Sequence, residues 1–147
     1  TAYYQKSLHV YKEVGDEYNI TDVYLMLGSL EQEKKHFDCA IEYYKKAFMG
    51  SQKFQDWYKA SITLIEWGNI LEKQKKWVEA LRIYLHFLPL EPQYASDLID
   101  LRVKAWARIL NHLGEIRFKA IWLEADGEEC PENLRSVIWS ARDALAK

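Results

Sequence analysis

Proline and glycine are scarce, three and six in 147 residues. So few turn formers exclude a β-rich fold, which needs them at its many chain reversals. Two cysteines, Cys39 and Cys130, make neither a disulfide framework nor a metal-binding spacing, and they suit a reducing compartment. No apolar run approaches the roughly 20 residues that cross a bilayer, so no membrane segment is expected. Charge of one sign is not in excess: 20 Lys and Arg stand among 22 Asp and Glu, for a net charge of −2. Without a basic stripe, nucleic acid is not an expected partner. No signal peptide is visible and the chain opens at Thr1, which leads us to expect a piece of a larger cytoplasmic protein, or a processed one. Phosphate-binding glycine loops, GxSxG elbows and HExxH runs are all missing. His9, His36, His86 and His112 lie far apart in a helical plan, and His36 with Cys39 makes two ligands without a third. We therefore expect no catalytic residue, no metal and no cofactor.

What the chain does contain is apolar content of 49% beside 29% charge, a balance that folds. It also has six Trp and ten Tyr, side chains that fill helix–helix seams. Sliding the chain forty residues along itself pairs Gly28 with Gly68, Ala40 with Ala80 and Tyr44 with Tyr84. The same shift pairs Tyr3 with Tyr43, Tyr4 with Tyr44, Lys6 with Lys46, Asp16 with Asp56, Tyr18 with Tyr58 and Lys35 with Lys75. A fixed period of this size signals stacked copies of one supersecondary unit.

Helical spacing fills each copy. Val23, Tyr24, Leu27 and Leu30 recur at three- and four-residue steps in one stretch, and Phe37, Ala40, Ile41, Tyr44, Ala47 and Phe48 in the next, with residues 34–38 as the turn. The second copy predicts helices over residues 57–74 and 77–88 around the Lys73–Lys76 turn, the latter stopped by Pro89 and Pro92. Ala2 to Val14 reads as the second helix of a repeat whose first is absent, closed by a left-handed Gly15. Beyond Pro92 a helix is expected from Gln93 to Leu113, continuing past Gly114 in the small-residue position to about Glu124. Asp126-Gly127-Glu128-Glu129 should break it, and a last helix from Pro131 carries Leu134, Val137, Ile138, Ala141 and Leu145 on one face, against the preceding helix. Trp139 points off that stripe as an edge-of-core residue. No linker divides residues 1–147, so one domain is expected.

The arrangement resembles the tetratricopeptide repeat, in which an aromatic, Leu-Gly, a second apolar residue, Ala and an aromatic recur in order. The first copy offers Tyr24, Leu27-Gly28, Ala40 and Tyr44; the second, Leu64, Trp67-Gly68, Leu71, Ala80, Tyr84 and Pro92. The match covers residues 2–92, weakens over 93–124 and is absent from the last helix. Glu31 stands where the family has a bulky apolar residue, and the forty-residue step exceeds the family's usual length, the excess being expected between the second helix of one copy and the first of the next. Long repeats of this kind look like those of kinesin light chains, Leu-Gly-Asn-repeat adaptors, bacterial peptide-receptor regulators and the sensor regions of signal-transducing ATPases. The resemblance implies an all-α, right-handed solenoid of antiparallel helix pairs, with the C-terminal helix as a cap.

It also implies recognition rather than catalysis: a protein or peptide held along the concave face lined by first helices. By register that face carries Asp22, Leu25, Met26, Ser29, Gln32 and Glu33, then Ile62, Ile65, Glu66, Asn69, Glu72 and Lys73, then Arg108, Asn111 and Glu115. A carboxylate clamp needs converging Lys, Arg and Asn; only Asn69 and Lys73 fit, which argues against a chaperone C-terminus as ligand. The alternative function is self-association through the first helix, with Tyr3, Tyr4, Leu8 and Tyr11 uncovered. A third is an all-helical enzyme without a legible motif.

Overall fold

The computed structural model describes the backbone of residues 2–86 and 92–145, and their side chains except those of 92–97. Among these residues are eight helices and no strand: α1 (Ala2–Val14), α2 (Glu17–Glu33), α3 (Phe37–Lys53), α4 (Trp57–Lys73), α5 (Trp77–Tyr84), α6 (Pro92–Leu113), α7 (Glu115–Asp126) and α8 (Glu132–Leu145). The chain is all-α, as the shortage of turn formers requires.

The first four connections are copies of one turn. Gly15, Lys35, Gln55 and Lys75, each twenty residues after the last, have left-handed φ angles of 72°, 63°, 56° and 61°. In each, the left-handed residue donates to the carbonyl three back, and the next residue to the carbonyl five back: Lys35 N to Gln32 O at 3.0 Å and His36 N to Glu31 O at 2.9 Å, for example. This is the Schellman pairing, which satisfies two of the carbonyls a helix end leaves open. The residue after the left-handed one then starts the next helix. Asp16 and Asp56 use their side chains for it, accepting from Asn19 N at 3.2 Å and Lys59 N at 3.1 Å, whereas His36 and Lys76 make no side-chain cap. The extra length over a short repeat is therefore not an inter-repeat insertion. It lies in the helices: α2, α3 and α4 have 17 residues each, and the connections that join α2 through α5 are uniformly short.

The chain divides into two compact units, Thr1–Ile70 and Leu71–Lys147. In the first, α2 packs along α3 and against α1. Leu8, Val23 and Leu27 form one cluster, flanked by Tyr4, Tyr11, Ile20, Tyr24 and Tyr43. Ala40, Tyr44 and Ile70 form another, flanked by Leu25, Phe37, Ile41 and Trp67. The α2–α3 hairpin is pinned close at two levels, one midway and one near its open end. A Cβ on Gly28 would sit 2.8 Å from Tyr44 Cε1, and one on Gly50 would overlap Thr21 Oγ1. Gly28 and Ala40 thus act as the pattern predicts, and Gly50 does the same work without a sequence signature.

In the second unit α5, α7 and α8 all pack on α6. Trp106 and Trp122 meet edge to face at 5.1 Å, with Phe118 5.7 Å from Trp122. Several expectations change here. Helix α5 ends at Tyr84 with Leu85 as its cap; Leu88 and Pro89 lie outside the described residues, and Pro92 opens α6 rather than closing α5. The helix from α6 does not run on to Glu124. Gly114 breaks it at φ 83° and ψ 163°, a conformation open at low cost only to glycine, and α7 starts at the next residue. Gly114 is exposed with nothing near its missing Cβ, so it is a break and not a close-packing position. Helix α8 packs chiefly on α6, with α7 a lesser neighbour. Ile138 is buried, but Val137 and Leu145 are both 52% exposed. Trp139, half-buried, packs edge-on against Phe118 of α7 at 5.7 Å instead.

Candidate functional site

Each unit offers a candidate site among the described residues. In the first unit, the tight turn after α1 folds α2 back along it, and the two helices leave a groove of about 220 Å³ between them. Tyr3, Tyr4, Ser7 and Tyr11 recur at one-, three- and four-residue steps on α1 and line one wall; Asn19, Asp22, Val23 and Met26 of α2 line the other. Val23 is the floor, buried against Leu8 and Leu27. Leu8, expected among the uncovered residues of α1, is instead buried under α2. Tyr3 remains 74% exposed, its ring edge-on to Tyr4 at 5.4 Å.

Asp22 at the lip of this groove is shared. It forms an ion pair with Lys59 of α4, whose ammonium also lies 3.6 Å from Asp56 and 4.4 Å from the centre of the Tyr18 ring. Burial acts to lower the pKa of Lys59, but the Asp22 hydrogen bond and charge outweigh it and the balance is upward. One lysine between two aspartates leaves the cluster with net negative charge.

Of the other residues assigned to the α2 face, Met26 is 48% exposed and Ser29 and Glu33 are exposed. Leu25 instead packs against the Ala40–Tyr44–Ile70 cluster. Gln32 accepts the Tyr44 hydroxyl at 2.7 Å, and burial, with Glu66 and Glu33 adding charge, pushes that hydroxyl's pKa far upward. Ile62, Ile65, Glu66 and Asn69 on α4 are all half-buried. Glu31, the departure from the family pattern, is explained by its partner: its carboxylate receives His36 Nδ1 at 2.8 Å across the turn.

In the second unit Glu72 pairs with Arg108 Nε at 3.1 Å, while its Oε1 is buried with no donor among the described residues. Burial pushes this carboxyl's pKa up, and Arg108 only partly draws it back. Arg108 belongs to α6 and His112, one turn on, stacks on Trp77 at 3.8 Å. Lys73 and Asn111 are exposed. Glu115, in the first turn of α7 where the helix dipole favours an acid, accepts Trp139 Nε1 at 2.8 Å and Arg142 at 3.2 Å. Those two partners hold its pKa below the usual carboxylate range. A second cavity of about 230 Å³ lies where α7 meets α8, lined by Lys119, Ala120, Leu123, Glu129, Cys130 and Arg135. Cys130 is buried at this cavity, and burial raises the pKa of its thiol. Cys39 is exposed.

Among the described residues no three His, Cys, Asp or Glu side chains are grouped to hold a metal ion, and no helix is long and apolar enough to cross a membrane. Comparison with protein-family profiles, curated proteins and solved structures returned no match. The α1–α2 groove, with Asn19 and Val23 contributing, was only half visible in the sequence. Tyr3, Tyr4 and Tyr11 on α1 and Asp22 and Met26 on α2 were each singled out, but as parts of two different surfaces, and nothing marked Ser7 or showed that the two sets face one another.

Proposed function

We propose that this chain is a non-enzymatic, tetratricopeptide-like interaction module of a larger cytoplasmic signalling or regulatory protein, a right-handed stack of helix pairs with α8 as its cap. It binds a peptide or helix along the concave face lined by its first helices. The observation that carries this reading is the α2–α3 hairpin, with Gly28 pressed on Tyr44 and Ala40 beneath, which leaves Asp22, Met26, Ser29 and Glu33 as one solvent-reachable stripe at helical spacing. Rigid helices present such a stripe preformed, so little ordering cost falls on the receptor when it binds. The test is selection from a random displayed peptide library, followed by nuclear magnetic resonance mapping on isotope-labelled protein. Selected peptides should perturb Asp22, Met26, Ser29 and Glu33 and lose binding to Met26→Glu, a substitution at an exposed site. Peptides that map elsewhere, or that bind the variant unchanged, defeat the proposal.

Self-association is the second reading. It is supported by Tyr3, Val10 and Val14, exposed by 74%, 52% and 70% and spaced to share one side of α1. Light scattering that reads a monomer at every concentration counts against it.

A further inference from the structure

We propose that the groove between α1 and α2 is a receptor for a lysine side chain presented by the partner peptide. The proposal deepens the peptide-binding reading by naming what the groove grips. Its eight lining residues include three tyrosines, a carboxylate and a thioether, and no cation. An aromatic face attracts a cation through its quadrupole, and a polarisable thioether and an aspartate add to that attraction. Tyr4 and Tyr11 are fixed by packing on the Leu8–Val23–Leu27 cluster, so two of the three rings are held in place before any ligand arrives.

The chemistry is already used on the other side of the same aspartate. There Lys59 lies over the Tyr18 ring at 4.4 Å while pairing with Asp22 and Asp56. One ammonium between two carboxylates leaves a unit of negative charge uncompensated, and the groove lies against it. An apolar ligand would cover Val23 and the tyrosine rings but would strip water from Asp22 without replacing it. A lysine satisfies both, its butylene stem on the rings and its ammonium at the carboxylate. The volume of about 220 Å³ accommodates one long side chain and not a whole helix.

The experiment titrates isotope-labelled full chain with two capped tripeptides, acetyl-Gly-Lys-Gly-amide and its norleucine counterpart, which keeps the stem and lacks the ammonium. The lysine peptide should shift Tyr3, Tyr4, Tyr11, Asn19 and Asp22 resonances and bind at least about five-fold more tightly than the norleucine peptide. Tyr3→Ala, at an exposed ring, should weaken the lysine peptide and leave the fold intact by circular dichroism. Asp22→Asn should narrow the difference between the two peptides, leaving only the part that the tyrosine rings supply. Equal binding of both peptides to the native chain, binding of neither, or shifts outside the groove overturns the proposal. Library peptides that still map to Met26 and Glu33 would in that case leave the peptide-binding reading standing, so the two fail separately.

Discussion

Replacing Gly28 by alanine is the sharpest test of how the first unit is held together. The new Cβ would lie 2.8 Å and 2.9 Å from two carbons of the Tyr44 ring and 3.2 Å from a third, where non-bonded carbons settle at about 3.5–4.0 Å. The ring has nowhere to go. It is 1% exposed, packed on Ala40 and Ile70, and its hydroxyl is tied to Gln32 at 2.7 Å. Overpacking of this kind costs about 1–3 kcal/mol, and dislodging the ring puts about another 1 kcal/mol of hydrogen bonding at risk. Alanine recovers about 1 kcal/mol over glycine inside a helix. The net expectation is a loss of about 1–3 kcal/mol, read as a fall in the urea midpoint with an unchanged slope. The same substitution in a Tyr44→Leu background should cost nothing or stabilise, because the obstructing ring is gone. A Gly28→Ala protein as stable as its parent, or a penalty that survives Tyr44→Leu, refutes the close approach.

Lys35→Gly, Gln55→Gly and Lys75→Gly should each raise stability by about 0.5–1 kcal/mol. A left-handed backbone costs an L-residue about 1–2 kcal/mol, and the freer unfolded chain returns about 0.4–1; a destabilised variant among the three refutes the turn assignment. With an aromatic disulfide reagent, native protein should release one fast equivalent, from exposed Cys39, and a second only on unfolding, since Cys130 is buried with its thiol pKa raised; two fast equivalents would contradict that burial. Glu72 gives a pH test with a definite sign. Because burial raises its folded pKa above the ordinary value near about 4.3, the folded state holds the proton more tightly, and its contribution to stability falls as pH rises through that window. Relative to Glu72→Gln, the parent should therefore lose ground as the pH rises from the ordinary carboxylate value towards the raised folded one; gaining ground would mean that Arg108 outweighs burial.

Much of the fold was legible because close contact leaves small residues behind. Gly28, Ala40 and Tyr44 stand in the pattern because their packing admits little else. The twenty-residue module was not legible, because its left-handed positions are filled by Lys35, Gln55 and Lys75 as well as Gly15, and no composition cue marks a lysine as a helix stop. Leu27-Gly28 and Leu113-Gly114 are the same dipeptide, yet one glycine is pressed on a ring and the other ends a helix. Only the surroundings of the second glycine, exposed and with nothing near its missing Cβ, distinguish them. At the candidate face, periodicity placed Asp22, Gln32 and Glu72 on one register. It could not reveal that Lys59, Tyr44 and Arg108 engage them, since those partners lie 37, 12 and 36 positions away.

The repeated turns after α1, α2, α3 and α4 impose a parity rule on any lengthening or shortening of this chain. Each such turn reverses the chain, so one added helix with its turn hands the chain on in the opposite direction, and two added helices restore the original sense. That explains why the backbone counts in twenties while Gly28 and Gly68, Ala40 and Ala80, and Tyr44 and Tyr84 keep time only in forties.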